Sequence, residues 1–227
     1  MKKYFILFIT TFLFTDVCTA YTEDIILQKC MKDRHYTTSA MIQCTYERGD
    51  YYKDLSAKLA VNLMDKLPPA NYNKLLANQV LLNRYIYSLD AGATDILYSV
   101  QGTIYYTMAS GIKYHVYREN YWILSMLDTK NICKNPLENK YSISEIESSI
   151  KSELKKLEPD LKKLQYESLI ESQRAWKVYF DDTKDNILPM FNDKPEIKKY
   201  IIRMLYENRL AVLQTIRTPY EKTELPH

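Results

Sequence analysis

Apolar residues recur at steps of three and four along most of the chain, which is the spacing of amphipathic helices that bury one face. One stripe is formed by Ala40, Cys44, Tyr51, Leu55, Leu59 and Leu63. A second is formed by Leu75, Gln79, Leu82, Ile86 and Leu89. Pro68 and Pro69 lie between them, and proline ends one helix but is accepted in the first turn of the next. The pattern predicts two consecutive helices that meet at these prolines.

The second half of the chain shows the same pattern after two helix-start signals. Ser142 and Glu145 have the spacing of a capping box, and the tripeptide at 193–195 places a proline before the last stripe. The two stripes consist of Leu161, Leu164, Leu169, Trp176 and Phe180, then Ile197, Ile201, Leu205, Asn208 and Val212. Residues 91–113 hold three of the four glycines and predict an interrupted helix. No strand pattern competes, so we expect an all-α antiparallel helical bundle.

An internal similarity links the two halves at an offset of 94 residues. The segment ANQVLLNRYIYS at 77–88 aligns with ESQRAWKVYFDD at 171–182. The matched pairs are Gln79 with Gln173, Leu82 with Trp176, and Tyr85 with Tyr179. The simplest account is two tandem helical modules at 21–132 and 141–217, joined by a linker at 133–140 and followed by a tail at 218–227. Chance similarity between amphipathic helices is the alternative.

The first twenty residues have the organisation of a secretory signal peptide. Lys2 and Lys3 precede an apolar run of about eleven residues, too short to span a bilayer. The small residues at 18–20 resemble a signal-peptidase site and predict cleavage after Ala20. The alternatives are an uncleaved membrane anchor and a lipoprotein acylated at Cys18. The chain contains no Asn-x-Ser/Thr glycosylation signal, which favours a bacterial product. We therefore expect a periplasmic or secreted bacterial protein.

Composition narrows the choice of partner and chemistry. Only four glycines occur in 227 residues, against roughly 7% in an average chain, which argues against glycine-rich phosphate cradles. Lys and Arg total 31 against 28 Asp and Glu; removal of residues 1–20 takes away two lysines and one aspartate, leaving 29 against 27. Such a balance argues against a nucleic-acid partner. No later segment is apolar enough for stable membrane insertion.

Three cysteines remain after the predicted cleavage. In an oxidising compartment Cys30 and Cys44 are the natural disulfide pair, closing a loop of about 15 residues worth about 3 kcal/mol in the chain-entropy estimate. Cys133 is then left as a free thiol or an intermolecular bridge. His35 lies between the first two cysteines, but the close Cys pairs of zinc sites are missing from the sequence. We expect no bound metal.

The sequence offers little for catalysis. None of His35, His115 and His227 lies in a recognisable nucleophile motif. Asp181 and Asp182 are adjacent on a predicted helix, so their side chains point in different directions and cannot share one glycosidic bond. The tripeptide at 48–50 spells Arg-Gly-Asp, but inside a predicted helix, where an accident is favoured over recognition. We expect no enzyme activity and no cofactor.

Tyrosines are the preferred candidates for a partner surface, because their rings suit half-wetted interfaces. The irregular segment near 91–113 and the helix after it supply Tyr105, Tyr106, Tyr114 and Tyr117. Trp176 lies on a leucine-containing stripe, where a place in the core is favoured over a sugar-binding platform. We expect Gln173 and Arg174 to lock neighbouring helices through hydrogen bonds to chain ends.

Two segments, CMKDRHYTTSAMIQC at 30–44 and SQRAWKVYFDD at 172–182, resemble segments of the lysozyme-inhibitor LprI-like family of exported bacterial proteins. CMKDRHYTTSAMIQC at 30–44 places Thr38 and Met41 ahead of the second cysteine, as in that family. SQRAWKVYFDD at 172–182 resembles the family motif through Gln173, Arg174, Trp176 and Tyr179. Arg209 and Leu213 match its closing helix. Members usually carry a second cysteine pair, whereas this chain has Asp185 and Met204 in those neighbourhoods.

The resemblance implies a helical protein that acts by protein–protein binding at the cell envelope, with a lysozyme or a host protein as partner. An inhibitor of this kind needs a preformed surface and no catalytic group. A near-neutral chain is not steered towards basic lysozymes as an acidic one would be. The alternative is a secreted effector or envelope interaction protein on the same scaffold with an unrelated partner.

Overall fold

A computed structural model describes residues 20–35, 37–100, 103–130, 141–192 and 194–220. Every regular element in these ranges is helical, which confirms the all-α bundle. The α-helices are α1 Ala20–Asp33, α2 Thr38–Met64, α3 Pro69–Leu89, α4 Asp95–Tyr98, α5 Thr103–Thr129, α6 Ile143–Leu157, α7 Lys163–Asp182 and α8 Pro195–Arg217. The first 19 residues of the predicted signal peptide, the whole predicted linker with Cys133, and residues 221–227 lie outside the described ranges.

Local signals determine where several helices begin. The Ser142 hydroxyl accepts a hydrogen bond from the backbone N–H of Glu145, whose carboxylate in turn accepts one from the Ser142 backbone N–H. The Ser142 backbone N–H and the Ser142 hydroxyl both donate to the Glu145 carboxylate and hold the pKa of Glu145 below its usual range, because they favour the ionised form. Pro69 and Pro195 occupy the first turns of α3 and α8. The predicted capping box and proline starts are confirmed.

The helices associate in three principal pairs. α2 packs along α5, α6 packs along α8, and α3 packs along α7. One hydrophobic cluster includes buried residues from both halves of the chain, among them Leu82, Leu97, Trp176 and Leu213. A disulfide between Cys30 and Cys44 fastens α1 to α2. The two halves therefore share one core, although each supplies its own pair of long helices to it.

Both helices that carry the sequence similarity continue into a π-helical turn. α3 passes through the turn Asp90–Thr94 into α4, and α7 passes through the turn Thr183–Ile187 into a 3-10 segment. Each turn packs against the other helix of the pair. A Cβ atom on Gly92 would lie 2.7 Å from the Ser168 carbonyl oxygen, so the close approach there requires glycine. The predicted interruption of 91–113 is confirmed for its first part only, because α5 runs without a break from Thr103 through residue 113.

Two residues that the apolar stripes predict to be buried are exposed in the structure. Tyr51 is exposed, and Tyr52 takes its place in the core by packing against Tyr114 of α5. Cys44 faces α1 whereas Tyr52 faces α5, so the contacting face shifts along this long helix. Leu164 is 76% exposed because α7 begins only at residue 163. It lies five residues before buried Leu169, a rotation of about 140° around a helix with 3.6 residues per turn.

Candidate functional site

The aromatic residues of the family-like motif lie in the core. Trp176 stacks on Phe180 with ring centroids 5.3 Å apart and meets Tyr206 of α8 edge-on at 5.6 Å. Tyr179 is fully buried and stacks on Tyr85 of α3 at 6.1 Å. These rings hold α7 between α3 and α8 and are not presented to a ligand.

A buried arginine joins the motif to the last helix. Arg209 is almost fully buried, its Nε donates to Gln173 Oε1 at 2.7 Å, and one terminal nitrogen donates to Ser172 Oγ at 3.0 Å. Its guanidinium also lies 5.8 Å from the centroid of the Tyr85 ring. Gln173 thus joins two helices, through a side chain of the second helix and not through a chain end. Arg174 does not: it is exposed and pairs with Glu171 on its own helix at 3.2 Å.

The first half contains a counterpart to the Gln173 contact. Gln79 and Asn120 exchange two side-chain hydrogen bonds of 3.0 and 2.9 Å, which tie α3 to α5. Gln79 is the residue that the sequence alignment matches to Gln173. In both halves the matched glutamine therefore bonds to the helix that closes its half.

A buried carboxyl group that the sequence analysis missed lies between α5 and α8. Glu119 accepts a hydrogen bond of 2.5 Å from the Asn208 side-chain amide. Loss of solvent raises the pKa of Glu119 to about 8, against the opposing effects of the Asn208 bond and the Arg118 charge. Beside it a cleft of about 300 Å³ is lined partly by His115, Arg118 and Asn208. No spacing pattern in the sequence distinguishes Glu119 from exposed glutamates.

The predicted tyrosine surface is only partly exposed. Tyr114 is buried, and both Arg48 and Arg118 donate to its hydroxyl, at 2.6 and 3.0 Å. Its inclusion in a partner surface is therefore wrong, because its position on α5 turns it towards α2. Tyr105 and Tyr117 are half-buried. Tyr106 is the exposed member, and its ring lies 5.2 Å from that of Tyr98.

A groove of about 450 Å³ lies on the outer side of the α3–α7 pair. Its small side chains are Ser88, Ala91, Ser168 and Ala175, and its larger ones are Leu81, Arg84, Tyr87, Glu171, Arg174 and Val178. The helices approach each other closely at Gly92, and the small side chains beside that contact leave the space unfilled. The groove is therefore a consequence of how the two similar helices pack.

Apolar groups are exposed on both walls of this groove. Tyr87 is 79% exposed and Val178 is 52% exposed. Leu76 and Val80 continue the exposed apolar line on α3 towards its start. The predicted stripes do not include these four residues, because the stripes follow only the face of each helix that was expected to be buried. Of the motif residues, Arg174 alone lines the groove.

Comparisons with known proteins show the fold alone. No family model matches the chain, and no curated protein does. A crystal structure of an uncharacterized protein from Burkholderia thailandensis is similar, with a TM-score of 0.65 and 14% identity over 86% of this chain and 96% of that one. Within the described ranges, every helix is too short or too polar to cross a bilayer. Those ranges also hold no group of three His, Cys, Asp or Glu side chains arranged for a metal ion.

Proposed function

We propose that this chain is an exported bacterial protein of the LprI-like kind, which acts by binding another protein at the cell envelope. A lysozyme is the first partner to test, because the resemblance of the segments at 30–44 and 172–182 points to it. Export is supported by the signal-like residues 1–20 and by the Cys30–Cys44 disulfide, since disulfides persist in oxidising compartments.

The groove between α3 and α7 carries the proposal. It combines exposed apolar area with a tyrosine and two arginines, and these residue types dominate the energetics of protein interfaces. Isolated exposed apolar residues are common on any protein, whereas here they line a preformed concave surface. Among the large apolar side chains that the structure describes, Tyr87 has the highest exposed fraction, 79%, and it is the expected anchor.

Lysis of bacterial cell walls tests the lysozyme proposal directly. The purified protein is titrated into c-type and g-type lysozymes, and the loss of wall turbidity is followed. Inhibition of at least one of the two is expected. Tyr87→Ala should weaken inhibition by about thirtyfold or more, because truncation of an interface anchor costs about 2 kcal/mol or more.

Tyr141→Ala is the matched control, because Tyr141 is also highly exposed, at 61%, but is not part of the groove. It should inhibit as the unchanged protein does. Full lysis by both enzymes at micromolar excess of the protein would contradict the lysozyme proposal. Inhibition that survives Tyr87→Ala would show that another surface is used.

A further inference from the structure

We propose that the α3–α7 groove receives an amphipathic helix of the partner protein, whose apolar face is bordered by carboxylate side chains. The proposal rests on the protein-binding function above and adds the chemistry of the bound segment. It requires three properties of the groove: a helix-sized shape, an apolar interior and a positive rim.

The shape follows from the two walls. α3 and α7 are both long helices, so the space between them is a channel bounded by helix surfaces. Side chains of a third helix can enter such a channel in the same way as ridges pack into grooves between helices. The serines and alanines at 88, 91, 168 and 175 keep it open. A helix in a groove is also a common way in which proteins recognise peptides.

The interior supplies the apolar contact that such a helix needs. Leu81 and Ala175 lie on opposite walls, and the sequence similarity places them at equivalent positions of the two halves. Tyr87 and Val178 add exposed apolar surface at the rim. Leu76 and Val80 extend the apolar line by about two turns along α3, which gives an elongated surface in place of an isolated pocket.

The charged side chains of the groove favour a negatively charged segment of the partner. Two arginines and one glutamate line the groove, and the glutamate already pairs with Arg174 on the same helix. Among the residues that the structure describes, no acidic side chain pairs with Arg84. A guanidinium at the edge of an apolar surface is well suited to a charge-assisted bond with a carboxylate. A basic helix would bring like charges together there and is disfavoured.

The test uses two peptides of about 18 residues, longer than the length at which isolated helices are marginal. Both carry the same leucine stripe, bordered by glutamates in one and by lysines in the other. Each is titrated into isotope-labelled full-length protein and followed by NMR. The glutamate peptide should shift resonances of Arg84, Tyr87 and Val178 in a saturable manner, and the lysine peptide should not.

Arg84→Glu should weaken binding of the glutamate peptide by about tenfold or more, because it removes the hydrogen bond between the guanidinium and a carboxylate of the peptide. Lys58→Glu makes the same charge change at an exposed position outside the groove and should leave binding unchanged. Equal binding of both peptides, shifts confined to another surface, or no shifts at all would each overturn the proposal. Because no lysozyme is present, these outcomes are separate from those of the lysis assay.

Discussion

The two halves of this protein use the same order of helices but different chemistry to hold them together. Residues 38–129 and residues 143–217 each run from a first helix through a helix with a π-helical turn to a closing helix. In the first half a neutral amide pair joins Gln79 to Asn120. In the second half Gln173 accepts from the buried Arg209. In this arrangement of helices, the closing helix can therefore contact the matched glutamine through either an amide or a cationic side chain.

The halves differ in their covalent support as well. A disulfide holds α2 to α1 on the side of the first half. The second half has buried Met204 and exposed Asp185 where the resemblance leads one to expect cysteines. Its stability rests on the packing of Trp176, Phe180 and Tyr206 and on the Arg209 contacts. The second half should thus be the more sensitive to changes in its core.

The largest change in stability is expected at the two contacts of the matched glutamines, Gln173 with Arg209 and Gln79 with Asn120. Arg209→Ala should lower the free energy of unfolding by about 3–5 kcal/mol, because it opens a cavity and removes the partner of buried Ser172 and of half-buried Gln173. Asn120→Ala should cost about 1–2 kcal/mol, because it removes only one neutral partner. Urea unfolding followed by circular dichroism measures both. Equal losses would show that the difference in chemistry between the halves has no energetic consequence.

The disulfide should contribute the next largest effect. Replacement of both Cys30 and Cys44 by serine should lower the unfolding free energy by about 3 kcal/mol, the chain-entropy value for a loop of about 15 residues. Thermal unfolding with and without a reducing agent gives a second measurement. Cys133→Ser is the control and should not change the response. If the double variant is as stable as the unchanged protein, the covalent difference between the halves is unimportant.

A smaller effect is expected where the π-helical turn of the first half meets α7. Gly92→Ala should destabilise by about 1–3 kcal/mol, because the new methyl group meets the Ser168 backbone at 2.7 Å. Gly111→Ala is the matched control, since a Cβ there has no neighbour within 4 Å. It should stabilise α5 by about 0.5–1 kcal/mol. Calorimetric melting temperatures should move in opposite directions; a common direction would contradict the close-approach argument.

The closing helices of the two halves meet at Glu119 and Asn208, which predicts a dependence on pH. The pKa of Glu119 in the folded protein, about 8, is above its value in the unfolded chain. In acid the carboxyl group is neutral in both states, so its burial does not lower the free energy of unfolding. Stability is therefore lost as pH rises from 4.5, the usual pKa of this carboxyl, to about 8. Glu119→Gln keeps the shape without the charge and should be the more stable protein at pH 9, by up to about 5 kcal/mol, since each pKa unit of this shift is worth about 1.4 kcal/mol.

Unfolding in urea at pH 5, 7 and 9 measures this effect. The unchanged protein should become less stable across the series through this group, and Glu119→Gln should lack that contribution. Glu171→Gln, at an exposed position, is the control and should follow the unchanged protein. A parallel decline in all three proteins would assign the pH dependence to other groups.

Much of the fold could be predicted from local patterns. Pro69, Pro195 and the Ser142–Glu145 pair mark helix starts through backbone chemistry that acts within one turn. The apolar stripe in the sequence predicted the buried face of α3 well, because the same helices pack against α3 along its length. The stripes failed at Tyr51 and Leu164, where the neighbour changes along the helix or the helix has only just begun.

The sequence by itself determined the helical class, most helix boundaries, the cysteine pair and the similarity between the halves, since each depends on residues close in the chain or on direct alignment. Only the tertiary structure decided that Tyr114 is buried, that Glu119 loses its solvent and that a groove lies beside Gly92. These features depend on how closely helices far apart in the chain approach each other. That distance is determined by side chains from several helices at once, which no local pattern records.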